Sequence, residues 1–186
     1  SEMCIRDRGM ATVMTTLHGI KTVYYPSPLH YKIIPELIYD TNATVLVGTD
    51  TFLAGYGEAA HPYDFYSLRL AIVGAEKLKE STEKLYIEKF CIRVIEGYGA
   101  TECSPLISVN SRMYNRRGSV GRIVPALDYK LEEAPGITDG KRLLLKGGNV
   151  MMGYMRPENP CVLEPVKDGW YDTGDIVEVD DEDFIF

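Results

Sequence analysis

The stretch EGYGATE, residues 96–102, decides how the rest of the chain is read. An apolar run, CIRVIE (91–96), leads straight into it. Such a run favours a buried strand. Gly97 and Gly99 bracket Tyr98, and Thr101 and Glu102 follow. A strand end of this kind turns sharply. It presents backbone N–H groups, a flat ring, a hydroxyl and a carboxylate within one turn. That inventory suits a nucleotide: a ring against a base, donors for a phosphate, an acid for Mg2+. The alternative is a glycine-rich turn closing a core strand, because short glycine motifs arise easily by chance.

Upstream, apolar runs alternate with helical patterns. IKTVYY (20–25), ATVLVG (43–48) and LRLAIVG (68–74) join CIRVIE as predicted strands, the second of them buried. Predicted helices cover 10–18 with Gly19 as its stop, 35–42 opening on Pro35, and 81–90 with Leu85 and Phe90 inward. Another covers Phe52, Leu53 and Tyr56 and is capped by Thr49 or Asp50. HPYDF (61–65) reads as a loop. Alternation of this kind implies βαβ units in a parallel sheet covered on both faces, with a crevice beyond the carboxyl ends of its strands. GAEKL (74–78) and EGYGATE both sit at such ends.

After Asn115 the helical period disappears. GSVGR (118–122) reads as a tight turn, and LDYKLEE (127–133), KRLLLKG (141–147), DIVEVD (175–180) and DFIF (183–186) read as strands. PGITDG (135–140) is a hairpin-type loop. The fold class is therefore α/β: a parallel sheet of βαβ units followed by a small antiparallel β subdomain, partly closed as a barrel. The boundaries are 10–117 for the α/β part and 118–186 for the β part. Residues 1–9, SEMCIRDRG, have neither apolar period nor signal-peptide shape and read as a non-native leader. An abrupt apolar end at DFIF suggests an internal piece of a longer chain.

Bulk properties narrow the classes. A net charge of −7 over 186 residues argues against a general nucleic-acid binder. No run of 18 apolar residues exists, so no membrane span is expected. The four cysteines form no C-x-x-C pair, which fits a reducing cytoplasm. His18, His30 and His61 show no nucleophile or metal spacing and read as solvated or structural. The acidic stretch 178–183 lacks the glycine and spacing of a calcium loop. A dehydrogenase is disfavoured because no G-x-G-x-x-G follows a predicted strand, and a P-loop kinase because G-x-x-x-x-G-K-[ST] is absent.

GAEKL, YGATE (98–102), GSVGR and GWYDTGDI (169–176), with a softer match at GGNVMMGY (147–154), occur in the order and spacing of the acyl-activating, adenylate-forming enzymes, which the chain resembles. YPSPLHY (25–31) and the stretch 35–53 look most like the synthetase part of the bacterial bifunctional 2-acylglycerophosphoethanolamine acyltransferase/acyl-ACP synthetase. The resemblance implies ATP and Mg2+ as cofactors. A fatty acid would react to acyl-AMP, and acyl carrier protein or CoA would be the thiol acceptor. Lysophospholipid would be a partner of the full-length parent. That parent would be cytoplasmic, with the option of attachment to the inner membrane.

By resemblance Gly74, Ala75 and Glu76 line the adenine, Tyr98 lies on the base between Gly97 and Gly99, and Glu96 stands near the adenine amino group. Thr101 would bind the α-phosphate, Glu102 the Mg2+, and Asp175 both ribose hydroxyls. Thr49, Phe52, Gly74 and Gly99 are candidates to border an acyl pocket, with core packing as the alternative for Phe52. The family's Ser/Thr/Gly-rich phosphate loop and its C-terminal domain with a catalytic Lys are not found in this sequence. The isolated chain is therefore expected to be inactive. The competing expectation is a non-catalytic interaction remnant of the same fold.

Overall fold

The computed structural model describes residues 15–186. The expected leader, and residues 10–14 of the first expected helix, lie outside them. Residues 15–17 are helical, and Gly19 ends the turn at φ 64°.

Helix α1 spans Ile33–Thr41 and stops where Asn42 adopts a left-handed conformation. It begins before the expected Pro35, which falls in its first turn, where no intrahelical N–H is needed. Strand β1 is Val45–Gly48, α2 is Asp50–Ala59 and β2 is Leu70–Val73. Thr49 caps α2 by accepting from the Phe52 N–H at 3.5 Å. Between α2 and β2 the expected loop is a short 3₁₀ turn, Pro62–Phe65. There Asp64 Oδ2 accepts from the His61 N–H at 2.7 Å, and His61 Nδ1 accepts from the Tyr63 N–H at 3.3 Å. Helix α3 is Glu80–Phe90, and its buried side chains are Thr82 and Tyr86. Leu85 and Phe90 are only half-buried.

Strand β3, Val94–Gly99, starts three residues later than CIRVIE suggests. Cys91 belongs to the helix end: its backbone is left-handed, its N–H donates to the Ile87 carbonyl at 3.0 Å, and the Ile92 N–H donates to the Tyr86 carbonyl at 3.1 Å. The segment 20–25 is irregular rather than a strand. The sheet ends at β1 and 20–25 is not in its hydrogen-bonded order, so the apolar residues there build no ladder.

Strands β4 (Leu106–Val109), β5 (Gly121–Ile123) and β11 (Phe184–Ile185) extend the sheet to six strands in the order β1-β2-β3-β4-β5-β11. The β1–β2 and β2–β3 pairs are parallel, and the later ones antiparallel. The sheet is thus mixed. The expectation that both faces are covered also fails at β1. Leu46 turns to the helices, but Val45 and Val47 on the other face stand 51% and 58% exposed. That strand is an edge, not a buried one.

Strands β6 (Leu127–Glu132), β7 (Lys141–Gly147) and β10 (Tyr171–Val177) form a second, antiparallel sheet in the order β10-β7-β6. A two-stranded ribbon pairs β8 (Gly153–Met155) with β9 (Leu163–Pro165). These elements stay open among the described residues and close no barrel. Two apolar clusters result. One places Leu53, Tyr56, Phe65 and Tyr86 against Ala71, Val73 and Val94. The other joins Cys103 and Ile107 to Leu143, Leu145, Val177 and Ile185.

Asp50 ties the starts of α2 and α3 together. It is 1% exposed, accepts from the Lys79 N–H at 2.9 Å and pairs with the Lys79 ammonium at 3.2 Å. Burial alone would raise its carboxyl, but the Lys79 N–H, the Thr82 hydroxyl and the ammonium hold it below the usual carboxylate range. The stabilisation is complete above the unfolded value of about 4 and is lost as pH falls through the lower folded value. Asp50→Ala is expected to cost about 2 kcal/mol at pH 7, read by urea denaturation, because it orphans buried donors. The deficit relative to the native chain should shrink in acid.

Candidate functional site

Three chain segments meet at the carboxyl end of β3. The first is β3 itself with the 3₁₀ turn Thr101–Cys103 that follows it. A Cβ at Gly99 would lie 2.0 Å from the Pro105 carbonyl oxygen, so only glycine lets the chain fold back there into β4. The register of β3 against β4 shifts between Tyr98 and Gly99.

The second segment is the turn after β2. Gly74 donates its N–H to Gly48 at 3.2 Å, and a Cβ on it would stand 3.8 Å from the Gly97 carbonyl oxygen. The glycines of GAEKL and EGYGATE are therefore neighbours. Ala75 is exposed with φ 66°, in the left-handed region. The Glu76 carboxylate accepts from the Thr51 N–H at 3.0 Å and its hydroxyl at 2.9 Å. It thereby satisfies an orphan donor in the first turn of α2.

The third segment is β10, where the ladder to β7 slips between Asp172 and Ile176. Thr173 donates its hydroxyl to Leu143 at 2.9 Å and accepts from the Asp175 N–H at 3.1 Å. Gly174 sits at φ 74°. This bulge re-aims Asp175 out of the strand, and the Tyr98 hydroxyl donates to Asp175 Oδ2. Burial, that hydrogen bond and the Asp175 charge all push the Tyr98 phenol up. Residues 77 apart in sequence are thus joined.

Glu102 is half-buried, and its Oε1 accepts from the Tyr154 hydroxyl at 2.9 Å. Tyr171 lies beside this pair. Its phenol is pushed up by burial first, then by Glu102 and Tyr154. Thr101 is exposed at the start of the 3₁₀ turn. Sequence reasoning missed Tyr154 and Tyr171, although both lie within motifs it had marked, GGNVMMGY and GWYDTGDI.

Glu96 is placed differently from Tyr98. It is 7% exposed, accepts from the Leu78 N–H at 2.8 Å, and faces a cavity of about 150 Å3 with Glu83, Asn110 and Arg117. A larger concavity of about 590 Å3, lined by Tyr31, Thr51, Gly55, Glu58 and Lys79, contains none of the expected site residues. Thr49 spends its hydroxyl oxygen on the α2 cap, and Phe52 stacks on Tyr56 with ring centres 6.4 Å apart.

Among the described residues no three His, Cys, Asp or Glu side chains cluster to hold a metal. A lone carboxylate such as Glu102, with one oxygen engaged by Tyr154, still fits Mg2+. That ion is commonly held by one or two carboxylates, with substrate phosphates and water completing its shell.

The model of the AMP-binding enzyme family matches residues 4–155, and the chain belongs to this family. It is 38% identical over 130 residues to a long-chain-fatty-acid–CoA ligase of Salmonella typhimurium, covering 66% of this chain and 22% of that protein. With the Haemophilus influenzae enzyme of the same name it shares 40% over 126 residues, covering 63% and 22%. The chain thus spans about a fifth of the length of these curated relatives. Its fold superposes on o-succinylbenzoate coenzyme A synthetase from Bacillus subtilis, solved in complex with ATP and magnesium. The TM-score is 0.74 at 23% identity, over 92% of this chain and 36% of that one.

Glu96 yields a stability prediction opposite in sign to that of Asp50. Burial is the largest influence on its carboxyl and raises it. The Leu78 N–H and Lys77 pull it down, and Glu83 and Asp50 push it up again. The folded state therefore binds more protons than the unfolded one, and stability falls as pH rises from about 4.3 to the raised folded value. Glu96→Gln keeps an acceptor for Leu78. It should raise the urea midpoint at pH 7, and this gain should fade as the pH is lowered below about 4.

Proposed function

We propose that the chain is the nucleotide-binding part of an ATP-dependent acyl-activating ligase. In the reaction a fatty-acid carboxylate attacks the α-phosphate of ATP, giving acyl-AMP and pyrophosphate. A thiol then takes the acyl group and AMP leaves. The observation that carries this reading is the convergence of Tyr98, Glu102 and Asp175, supplied by two distant motifs, on one strand end. Nothing in folding requires a carboxylate to be lifted out of β10 to meet that end. Membership of the AMP-binding family and the names of the fatty-acid ligase relatives support it further.

The roles follow from the chemistry of each group. Asp175, acceptor-only, suits a pair of ribose hydroxyls, which would take over the hydrogen bond now donated by Tyr98. Tyr98, half-buried against the second apolar cluster, would offer its outer face to a base, with Gly97, Gly74, Ala75 and Glu76 in the neighbouring turns. Thr101 donates to a phosphate oxygen. Glu102 would hold Mg2+, which when bound would offset charge building on the phosphate oxygens. Glu96 supports the adenine-side turn through Leu78.

At the finer level the resemblance favours transfer to acyl carrier protein or CoA within a bifunctional lysophospholipid-reacylating enzyme, cytoplasmic, with attachment to the inner membrane as an option. Among the described residues no helix is long and apolar enough to cross a membrane. Without the phosphate loop and catalytic Lys, the isolated chain would bind but not turn over.

The test is isothermal titration of the chain with a non-hydrolysable acyl-AMP analogue and Mg2+. Asp175→Ala should weaken binding by about 10- to 100-fold, the range for hydrogen bonds to a charged acceptor. Absence of binding by a demonstrably folded chain overturns the reading. Equal binding by both proteins overturns the role of Asp175.

A further inference from the structure

We infer that Tyr154 is a positioning residue for Glu102, and that the GGNVMMGY segment exists in this fold to aim that carboxylate. The inference rests on the proposed role of Glu102 toward Mg2+. It uses the motif that the nucleotide contacts leave unexplained.

The segment is stitched to the strand end at several points. The Met151 N–H donates to the Glu102 carbonyl at 2.7 Å. Asn149 donates its amide to the Cys103 carbonyl at 2.8 Å and the Leu106 carbonyl at 3.3 Å. Backbone and side chain of residues 149–151 thus grip the turn that carries Glu102 from both ends. Tyr154 then adds the one contact made to the carboxylate itself, at 2.9 Å on Oε1.

The geometry has a chemical consequence. A carboxylate on an exposed turn rotates about its last torsion and offers either oxygen. With Oε1 held by a phenol O–H, that rotation is fixed and Oε2 is left to face a cation. Hydrogen-bonded partners of this kind orient metal-binding side chains, and their loss commonly costs 10- to 100-fold in metal affinity. Tyr154 is 42% exposed, so its hydroxyl is not needed to fill a core. The site stands between β8 and the Thr101–Cys103 turn. Tyr154 meets Oε1, with Tyr171 behind it.

The test separates this inference from the reading beneath it. Affinity for the α,β-methylene analogue of ATP is measured on the whole chain, once in Mg2+ and once in EDTA, and the ratio is the magnesium gain. Glu102→Gln should abolish the gain. Tyr154→Phe should cut it by about 10-fold while leaving the EDTA affinity unchanged. A merely structural Tyr154 would lower both affinities together, and that result overturns the inference. Thermal melts of each variant verify folding. A native gain that Glu102→Gln removes but Tyr154→Phe preserves overturns the positioning role alone. No gain in the native chain overturns the role of Glu102 and the inference with it.

Discussion

Strand β3 has to serve two ladders, and the arrangement of the molecule depends on it. Its first half, from Val94 to Glu96, pairs in parallel with β2. Its second half, from Gly97 to Gly99, pairs antiparallel with β4. The pairing with β2 ends at Glu96, so the glycine half extends beyond the end of its parallel neighbour. A crevice at the carboxyl end of the sheet follows from this stagger, in keeping with the general placement of ligands in α/β sheets. Tyr98 stands on that overhang. Further along the same chain, Cys103 and Ile107 anchor the second apolar cluster. Both cores are thus fastened to one strand and the turn that leaves it.

Much of this was legible in the sequence, for identifiable reasons. Strands β2, β6 and β7 were readable because their apolar residues recur with the right period and are bounded by turn residues. Thr49 was readable as a cap because its hydroxyl precedes an apolar helical stretch. The segment 20–25 misled because composition reports how well residues suit a strand, not whether a partner is available. CIRVIE began early because the left-handed end of α3 at Cys91 is a backbone event that apolar side chains do not announce. The mixed sheet was hidden for a similar reason. The antiparallel return at Ser104 and Pro105 follows a glycine whose necessity shows only when the approach of Pro105 is seen.

The site divides in the same way. The motif residues were visible as chemistry, and the hydrogen bonds that hold them were not. Tyr98 reads in the sequence as a stacking ring, and Tyr154 and Tyr171 as ordinary aromatic residues; that the phenols of Tyr98 and Tyr154 sit on carboxylates shows only in the fold. Two buried acids make a contrast. Asp50 is surrounded by donors and a cation, so ionisation stabilises the fold. At Glu96 burial, with Glu83 and Asp50 nearby, outweighs the Leu78 N–H and Lys77, so ionisation opposes the fold. Glu96 thus sits where its charge works against folding. It lies at the turn where the glycines of two motifs touch.

The hydrogen bond between Tyr98 and Asp175 also bears on how a nucleotide would arrive. The Asp175 carboxylate is not bare: one oxygen already accepts a hydrogen bond from the Tyr98 hydroxyl. A ribose hydroxyl that replaces the phenol exchanges one O–H···O contact for another. The enthalpy of that step is then close to balanced, and discrimination falls to the second oxygen and to the stacking surface that the released ring presents. A sugar with a single hydroxyl could satisfy the exchange but not the remainder. The free chain would thus be a mimic of its own complex, with an internal phenol in the seat of a sugar.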